Sequence, residues 1–115
     1  MRTKICKGMA RIDNIANHAQ VSEKAIEHYL VEEVARRGGI CLKYDNPHAV
    51  GFPDRLVILP GHPLAWVEVK SRGKKPRRIQ QLRIELLNAL GQTTHVADSR
   101  EAVDNIIKCI ERNEP

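Results

Sequence analysis

Aromatic residues are scarce in this sequence, at 3% of its 115 residues. With so few of them, a core must be filled mainly by Val, Ile, Leu and Ala. The scarcity also disfavours a module that reads single-stranded nucleic acid by stacking successive bases on several aromatic side chains. We expect the central aromatic residues Tyr44 and Trp66 to pack in the core or at a sheet edge instead.

The three cysteines, Cys6, Cys41 and Cys109, lie far apart and form no C-x-x-C pair. Their spacing is not that of a zinc ribbon or a redox dithiol. No apolar run reaches the roughly 18 residues of a membrane span, and no signal-peptide segment is present. These absences predict a soluble, cytoplasmic protein whose thiols stay reduced.

The length of 115 residues predicts one domain spanning residues 1–115. Its formal charge of +5 and its pI near 9.4 favour a polyanionic partner. Residues 1–20 are basic with weak apolar spacing, which fits a helix, an N-terminal extension or a dimerisation arm. The sequence leaves these alternatives open.

Apolar periodicity and chain-breaking residues predict the elements of the fold. Ser22 is suited to cap a first helix, and Gly38 to end it. The predicted elements are a helix over 22–37, strands over 40–44, 56–59 and 64–69, a helix from about 76 to 90, a strand over 93–97, and a helix capped at 98 or 99. The order predicts an α/β sandwich with a central mixed sheet of about four strands flanked by helices.

The second helix is expected to present one apolar face. Its members are Ile79, Leu82, Leu86, Leu87 and Leu90.

A predicted hairpin between residues 51 and 70 brings polar side chains together. Because its two strands are antiparallel, the start of the first lies beside the end of the second. Asp54 is thereby placed near Glu68 and Lys70. Glu68 and Lys70 share one face of their strand, while Val69 points to the core.

Two carboxylates and an ammonium group suit phosphodiester hydrolysis. Mg²⁺ prefers oxygen ligands, which Asp54, Glu68 and the carbonyl of Val69 can supply. Lys70 can orient or help deprotonate a water and offset charge on the phosphate. An isolated E-x-K is usually a solvated strand face. Here G-x-P-D precedes it and a purely basic loop follows, and this combination favours a catalytic site.

The basic segment after the hairpin is expected to contact phosphates, which sets affinity rather than sequence choice. Its predicted DNA-binding residues are Arg72, Lys74, Lys75, Arg77 and Arg78. His28, His48 and His62 could each act as a ligand or general base, but none of the three has a partner at ligand spacing, so they are expected to be ordinary surface or loop residues.

Together, G-F-P-D, E-V-K, K-K-P-R-R-I-Q and a helix ending in A-L-G resemble the VRR-NUC domain, a virus-type replication-repair nuclease. That family is a branch of the PD-(D/E)xK superfamily, and the resemblance covers about residues 22–108. It implies a restriction-endonuclease-like fold with Asp54 and Glu68 as metal ligands. It also implies that Lys70 is the catalytic lysine and Gln80 the family's glutamine, although Gln80 taken alone reads as a surface residue.

The resemblance further implies a metal-binding glutamate on the first helix. Glu23 and Glu27 are the candidates, one helical turn apart on the same face. The S-E-x-x-I pattern favours Glu23, whereas the spacing to the glycine after the helix favours Glu27. Either could instead be a helix-dipole or solvated residue.

The resemblance implies a Mg²⁺-dependent DNA endonuclease, with Mn²⁺ as a substitute, in a bacterial or phage-infected cell. Small domains of this kind form homodimers and cut four-way junctions, so Holliday-junction or other branched DNA is the leading substrate. The alternatives are a flap or general duplex nuclease, an RNA-processing nuclease and a non-catalytic DNA-binding module.

Overall fold

A computed structural model describes residues 22–112 of the chain. The three helices in this range are α1 (Glu23–Arg36), α2 (Arg78–Ala89) and α3 (Arg100–Glu111). The strands are β1 (Ile40–Lys43), β2 (Arg55–Ile58), β3 (Ala65–Val69) and β4 (Thr93–Ala97). The prediction for residues 1–20 lies outside the described residues.

The four strands form one mixed sheet in the order β1-β2-β3-β4. β1, β2 and β3 are antiparallel neighbours, and β4 runs parallel to β3. The parallel pair is joined through α2, as a crossover connection requires. The predicted α/β sandwich with a mixed four-stranded sheet is therefore confirmed.

Helix α1 begins and ends where the sequence indicates. The Ser22 side chain accepts a hydrogen bond from the Ala25 N–H at 3.2 Å, which satisfies a free donor of the first turn. Arg37 caps the C-terminus, and Gly38 follows with φ of 83°. The last helix is capped by Ser99 rather than Asp98, because the Ser99 hydroxyl accepts from the Ala102 N–H at 3.0 Å.

The core lies between one face of the sheet and helices α1 and α3. Strand alternation places Val57, Val67 and Val69 on this face, and all three are fully buried. The helices contribute aliphatic side chains at helical spacing, namely Ile26, Leu30, Val34, Val103, Ile106, Ile107 and Ile110. The expected aliphatic core is thus present, and the aromatic residue Tyr29 packs against it.

Helix α2 differs from its prediction at its start, and its predicted apolar face is only partly covered. It begins at Arg78 rather than near Pro76, because Arg77 is extended and its N–H donates to the Gln80 side chain at 2.8 Å. Its apolar face is also not buried as a unit. Leu87 is buried, whereas Leu82, Leu86 and Leu90 are 41%, 43% and 65% exposed. The polar residue Gln80 takes a buried position instead.

Neither described cysteine forms a disulfide. Burial raises the pKa of the Cys41 thiol to about 11, so this group stays protonated near neutral pH. Within residues 22–112, no helix is long and apolar enough to cross a membrane.

Candidate active site

The hairpin register brings the predicted acidic residues to one end of the sheet. Arg55 pairs with Val67, so the preceding residue Asp54 lies beside Glu68. We call these two carboxylates the acidic pair, and they are close enough for the charge of Asp54 to raise the pKa of Glu68. Lys70 lies at the same end, with its Nζ 3.4 Å from Glu68 Oε2.

Asp54 is half-buried and held by the backbone of the neighbouring strand. Its carboxylate accepts a hydrogen bond from the Val69 N–H, and its own carbonyl accepts from the Tyr44 N–H at 2.7 Å. Burial raises the pKa of Asp54 and the charge of Glu27 adds to the rise, whereas the Val69 N–H and Lys70 oppose it. Val69 therefore fixes Asp54 through its N–H, and metal binding by its carbonyl remains a prediction.

Glu68 is a buried carboxylate with one oxygen paired and one unpaired. Oε2 accepts a hydrogen bond from Gln80 Nε2 at 2.8 Å and lies next to Lys70. Oε1 is buried and has no hydrogen-bond partner within residues 22–112. Burial, aided by the charge of Asp54, raises the pKa of Glu68 to about 7, and Lys70 opposes this rise.

Gln80 links Glu68 to the basic segment. Its Nε2 donates to Glu68, and its Oε1 accepts from the Arg77 N–H at 2.8 Å. Both ends of the amide are therefore occupied, and the first turn of α2 is joined to the carboxylate. Gln80 is buried, contrary to the surface position that its sequence context alone favoured.

The two candidate glutamates of α1 have different surroundings. Glu27 Oε2 accepts a hydrogen bond from Arg55 Nε at 2.8 Å and lies 2.8 Å from Arg55 Nη2 in a salt bridge. Glu23 is exposed and has no side-chain partner within residues 22–112. Both lie near the acidic pair, since Glu23 raises the pKa of Glu68 and Glu27 raises that of Asp54. Glu27 is thus neutralised by Arg55, and Glu23 is available.

The loop before Asp54 is packed against α2. Arg83 Nε donates to the Val50 carbonyl at 2.9 Å, and its guanidinium lies 5.0 Å from the Phe52 ring centroid. At Gly51, φ is +96°, and a Cβ would lie 2.7 Å from Ile79 Cγ1. Only glycine suits this position without movement of a neighbour. Arg83 therefore holds the loop in place.

Three aromatic residues, Tyr44, Phe52 and Trp66, cluster beside the acidic pair. Tyr44 meets Trp66 edge to face at 5.2 Å and Phe52 at 6.2 Å between ring centroids. The packing role expected for Tyr44 and Trp66 agrees with these contacts.

Arg55 and Phe52 were not singled out from the sequence. The G-F-P-D pattern could have indicated Phe52, whereas the Arg55–Glu27 contact joins residues 28 positions apart.

The basic segment that leads into α2 exposes five cationic side chains: Arg72, Lys74, Lys75, Arg77 and Arg78. None of them forms a salt bridge to an acidic residue within 22–112. Their charges are therefore available to an external anion.

The three histidines considered from the sequence lie elsewhere, and His28 pairs with Glu32 on the surface of α1.

The acidic pair fits a hard divalent cation. No group of three or more His, Cys, Asp and Glu side chains that could enclose a metal occurs among residues 22–112. Mg²⁺ is usually bound by one or two carboxylates and keeps several waters, so Asp54 and Glu68 suffice. The unpaired oxygen of Glu68 supports this fit, because buried polar atoms ordinarily have partners.

Comparison with known proteins places this geometry in a family. The chain is 42% identical over 81 residues to "Putative nuclease p44" of Acyrthosiphon pisum secondary endosymbiont phage 1, covering 70% of this chain and 87% of that protein. A solved structure described as "VRR_NUC domain" matches with a TM-score of 0.70 and 31% identity, covering 75% of this chain and 94% of that one. No family model matches the sequence.

The fold and the relatives define the protein class as a nuclease. The chain belongs to the VRR-NUC nuclease family, as its sequence motifs indicated.

The raised pKa of Glu68 predicts a stability cost in the metal-free protein. The pKa of Glu68 is raised from 4.5 to about 7 by folding, so the folded state binds the proton more tightly than the unfolded state does. The stability from this group is therefore fully present below pH 4.5 and is lost as pH rises through 7. In EDTA, Glu68→Gln should therefore be more stable than wild type at pH 8, by on the order of 2–3 kcal/mol, and similar at pH 4.5. Urea unfolding at both pH values measures the difference.

The matched control for this experiment is Glu85→Gln on the exposed side of α2. It should leave stability unchanged at both pH values. A Glu68→Gln protein less stable than wild type at pH 8 would contradict the predicted cost.

Proposed function

We propose that this protein is a Mg²⁺-dependent DNA endonuclease of the PD-(D/E)xK type, with Mn²⁺ as a substitute. The single observation that carries the proposal is the buried carboxylate of Glu68. It lies between Gln80 and Lys70, next to Asp54, and keeps one oxygen unpaired. A buried acid without full pairing is costly for stability, which favours a functional reason for it.

The proposed metal ligands are Asp54 and Glu68, with the Val69 carbonyl as a third. A bound Mg²⁺ polarises the phosphate and lowers the pKa of an attacking water. Gln80 holds Glu68 in one orientation through its 2.8 Å hydrogen bond. The Val69 N–H does the same for Asp54. The site is thus preorganised, so little rearrangement accompanies binding.

Lys70 is the proposed electrostatic catalyst. Its ammonium lies beside the acidic pair, where a phosphate would approach, and its side chain is 14% exposed. In this poorly solvated position its charge is screened weakly. It can hold a phosphate oxygen or the attacking water while the water's oxygen bonds to phosphorus and the leaving P–O bond breaks. The attacking water gives up one proton to solvent, and the departing oxygen takes one proton from solvent.

The exposed basic segment is the proposed DNA-binding surface. Arg72, Lys74, Lys75, Arg77 and Arg78 follow Lys70 along the chain and carry charges without acidic partners among the described residues. Such contacts add affinity independent of base sequence. Arg77 is joined through its backbone to Gln80, so this surface is held at a fixed place relative to Glu68. DNA bound there would have its backbone near the acidic pair.

Cleavage of defined substrates tests the proposal directly. Labelled four-way junction, flap and linear duplex DNA, and matching RNA, are incubated with Mg²⁺ or EDTA. We expect cutting of DNA only with Mg²⁺, and a loss of at least about 100-fold in Glu68→Ala and Lys70→Ala, because each removes a preorganised charge. Binding by both variants, measured by gel shift in EDTA, should stay within a few-fold of wild type.

Glu85→Ala is the matched control and should cut like wild type. DNA bound but never cut, with either Mg²⁺ or Mn²⁺, would favour a non-catalytic DNA-binding module. Faster cutting of RNA would favour an RNA-processing nuclease.

We further propose that Glu23, rather than Glu27, completes the metal site. Glu27 is held by Arg55 at 2.8 Å, whereas Glu23 has no partner within residues 22–112. Glu23→Gln should raise the Mg²⁺ concentration needed for half-maximal cutting by about tenfold without changing stability, because it removes one oxyanion from the cation. Titration of cutting against Mg²⁺, with urea unfolding alongside, measures both effects.

Glu27→Gln is the variant to be compared with Glu23→Gln in the same two measurements. It should lower stability by about 1–3 kcal/mol, because Arg55 loses its partner, and have the smaller effect on the Mg²⁺ requirement. The reverse ranking in the Mg²⁺ titration would assign the ligand role to Glu27.

The proposed substrate is branched DNA such as a Holliday junction, cut by a homodimer in the cytoplasm. A two-fold dimer would present two active sites to opposing strands. The exposed leucines of α2, Leu82, Leu86 and Leu90, support self-association, because they form one row at helical spacing. A dimerisation role for residues 1–20 also remains a proposal.

A charge placed in this row should separate the subunits. Leu86→Lys should be a folded monomer that cuts a junction at least about tenfold more slowly, because one active site reaches one strand only. Light scattering and circular dichroism measure assembly and folding, and Gln81→Lys, also exposed on α2, is the matched control. A wild-type protein that is monomeric while cutting junctions would contradict the dimer.

A further inference from the structure

A cavity of about 150 Å³, open to solvent, lies beside the acidic pair. We propose that it holds one unpaired nucleobase of the DNA, next to the phosphate that is cut; this inference rests on the proposed nuclease function. Six of the lining residues carry the inference, and we call the space they enclose the base cavity: Tyr44, Asp45, Asn46, Phe52, Asp54 and Arg77.

The size of the base cavity suits one aromatic ring. A dry cavity of about 150 Å³ in another protein accommodates benzene, so a pyrimidine-sized ring is comparable. The rings of Tyr44 and Phe52 meet at 82° with centroids 6.2 Å apart. Because the Arg83 guanidinium already lies over the Phe52 ring, we infer that a planar ligand would stack on Tyr44. This is a single stacking place, consistent with the low aromatic content of the chain.

The polar groups of the base cavity match a base edge. Asn46 Nδ2 donates to the Tyr44 hydroxyl oxygen at 3.0 Å, and Asn46 Oδ1 accepts from the His48 N–H at 3.0 Å. The Tyr44 hydroxyl hydrogen is left to donate. Asp45 is exposed and has no partner within residues 22–112, so its carboxylate can accept from a ring or amino N–H.

Charge argues that the occupant is a base and not a phosphate. Asp45 and Asp54 both line the base cavity, and two carboxylates repel a phosphate group. Arg77 lines it too and belongs to the exposed basic segment, where a phosphate is attracted. A nucleotide whose phosphate contacts Arg77 would therefore direct its base into the base cavity.

The occupant must be unpaired. A base inside a duplex is stacked on both sides, and only a base that leaves the stack can enter a protein cavity. Leaving the stack costs least at branches, flaps and other single-stranded positions. The base cavity would thus supply a selectivity for branched DNA that the basic segment, which reads only backbone charge, cannot supply.

Removal of single bases tests this inference. The cut site on a junction or flap is first mapped, and abasic residues are then placed singly on each side of it. We expect cleavage to fall about tenfold at one of these positions, because a stacked base contributes binding of that order. An equal cleavage rate at every abasic position would overturn the inference.

A filled cavity should abolish this sensitivity. Ala49→Phe places a ring among the lining residues, so the variant should cut slowly and respond equally to intact and abasic DNA. Ala89→Phe, on the exposed end of α2, is the matched control and should keep the wild-type response. An Ala49→Phe protein that retains the response would also overturn the inference.

A binding readout separates this inference from the nuclease proposal. With 2-aminopurine at the sensitive position, or at each unpaired position beside the branch if nothing is cut, fluorescence in EDTA should fall when wild type or Ala89→Phe binds. It should fall less with Ala49→Phe. Unchanged fluorescence at every position overturns the base cavity. Failure to cut any substrate overturns only the proposed nuclease function.

Discussion

The rest of the site depends on the burial of Glu68 beneath the first turn of α2. Its carboxylate is fixed by Gln80 Nε2, and Gln80 in turn fixes the backbone of Arg77. One side chain therefore connects the end of β3, the start of α2 and the basic segment. Because the carboxylate is buried and lies near Asp54, its pKa is raised to about 7, and the fold carries this cost at neutral pH.

One face of the sheet carries the aliphatic core, and the other carries the candidate site. One face is covered by α1 and α3 and holds the fully buried aliphatic core, including Val67 and Val69. The other is covered in part by α2 and carries the polar groups of the site. Strand alternation makes this division possible, since Glu68 lies between two core valines yet faces away from them. Burial of the core on one face can thus offset the free-energy cost of the buried charge on the other face.

Much of the fold and of the site followed from the sequence. The hairpin placed Asp54 beside Glu68 and Lys70 because antiparallel pairing has few alternatives at that length. The Ser22 cap bounded the start of α1 by local hydrogen bonding, and Gly38, which follows the C-cap Arg37, bounded its end by backbone freedom. The leucine row of α2 was predicted to share one apolar face, and periodicity reports which side chains share a face but not whether that face is covered.

Local sequence patterns by themselves determined the helices and strands, the mixed sheet and the proximity of the two carboxylates of the acidic pair. The tertiary structure alone decided which groups are paired. It joins Arg55 to Glu27 across 28 positions, leaves Glu23 without a partner among residues 22–112, and buries Gln80 against Glu68. It also encloses a cavity between the 44–54 loop and α2. Such contacts depend on how elements pack, and spacing along a chain does not encode the distance between side chains of different elements.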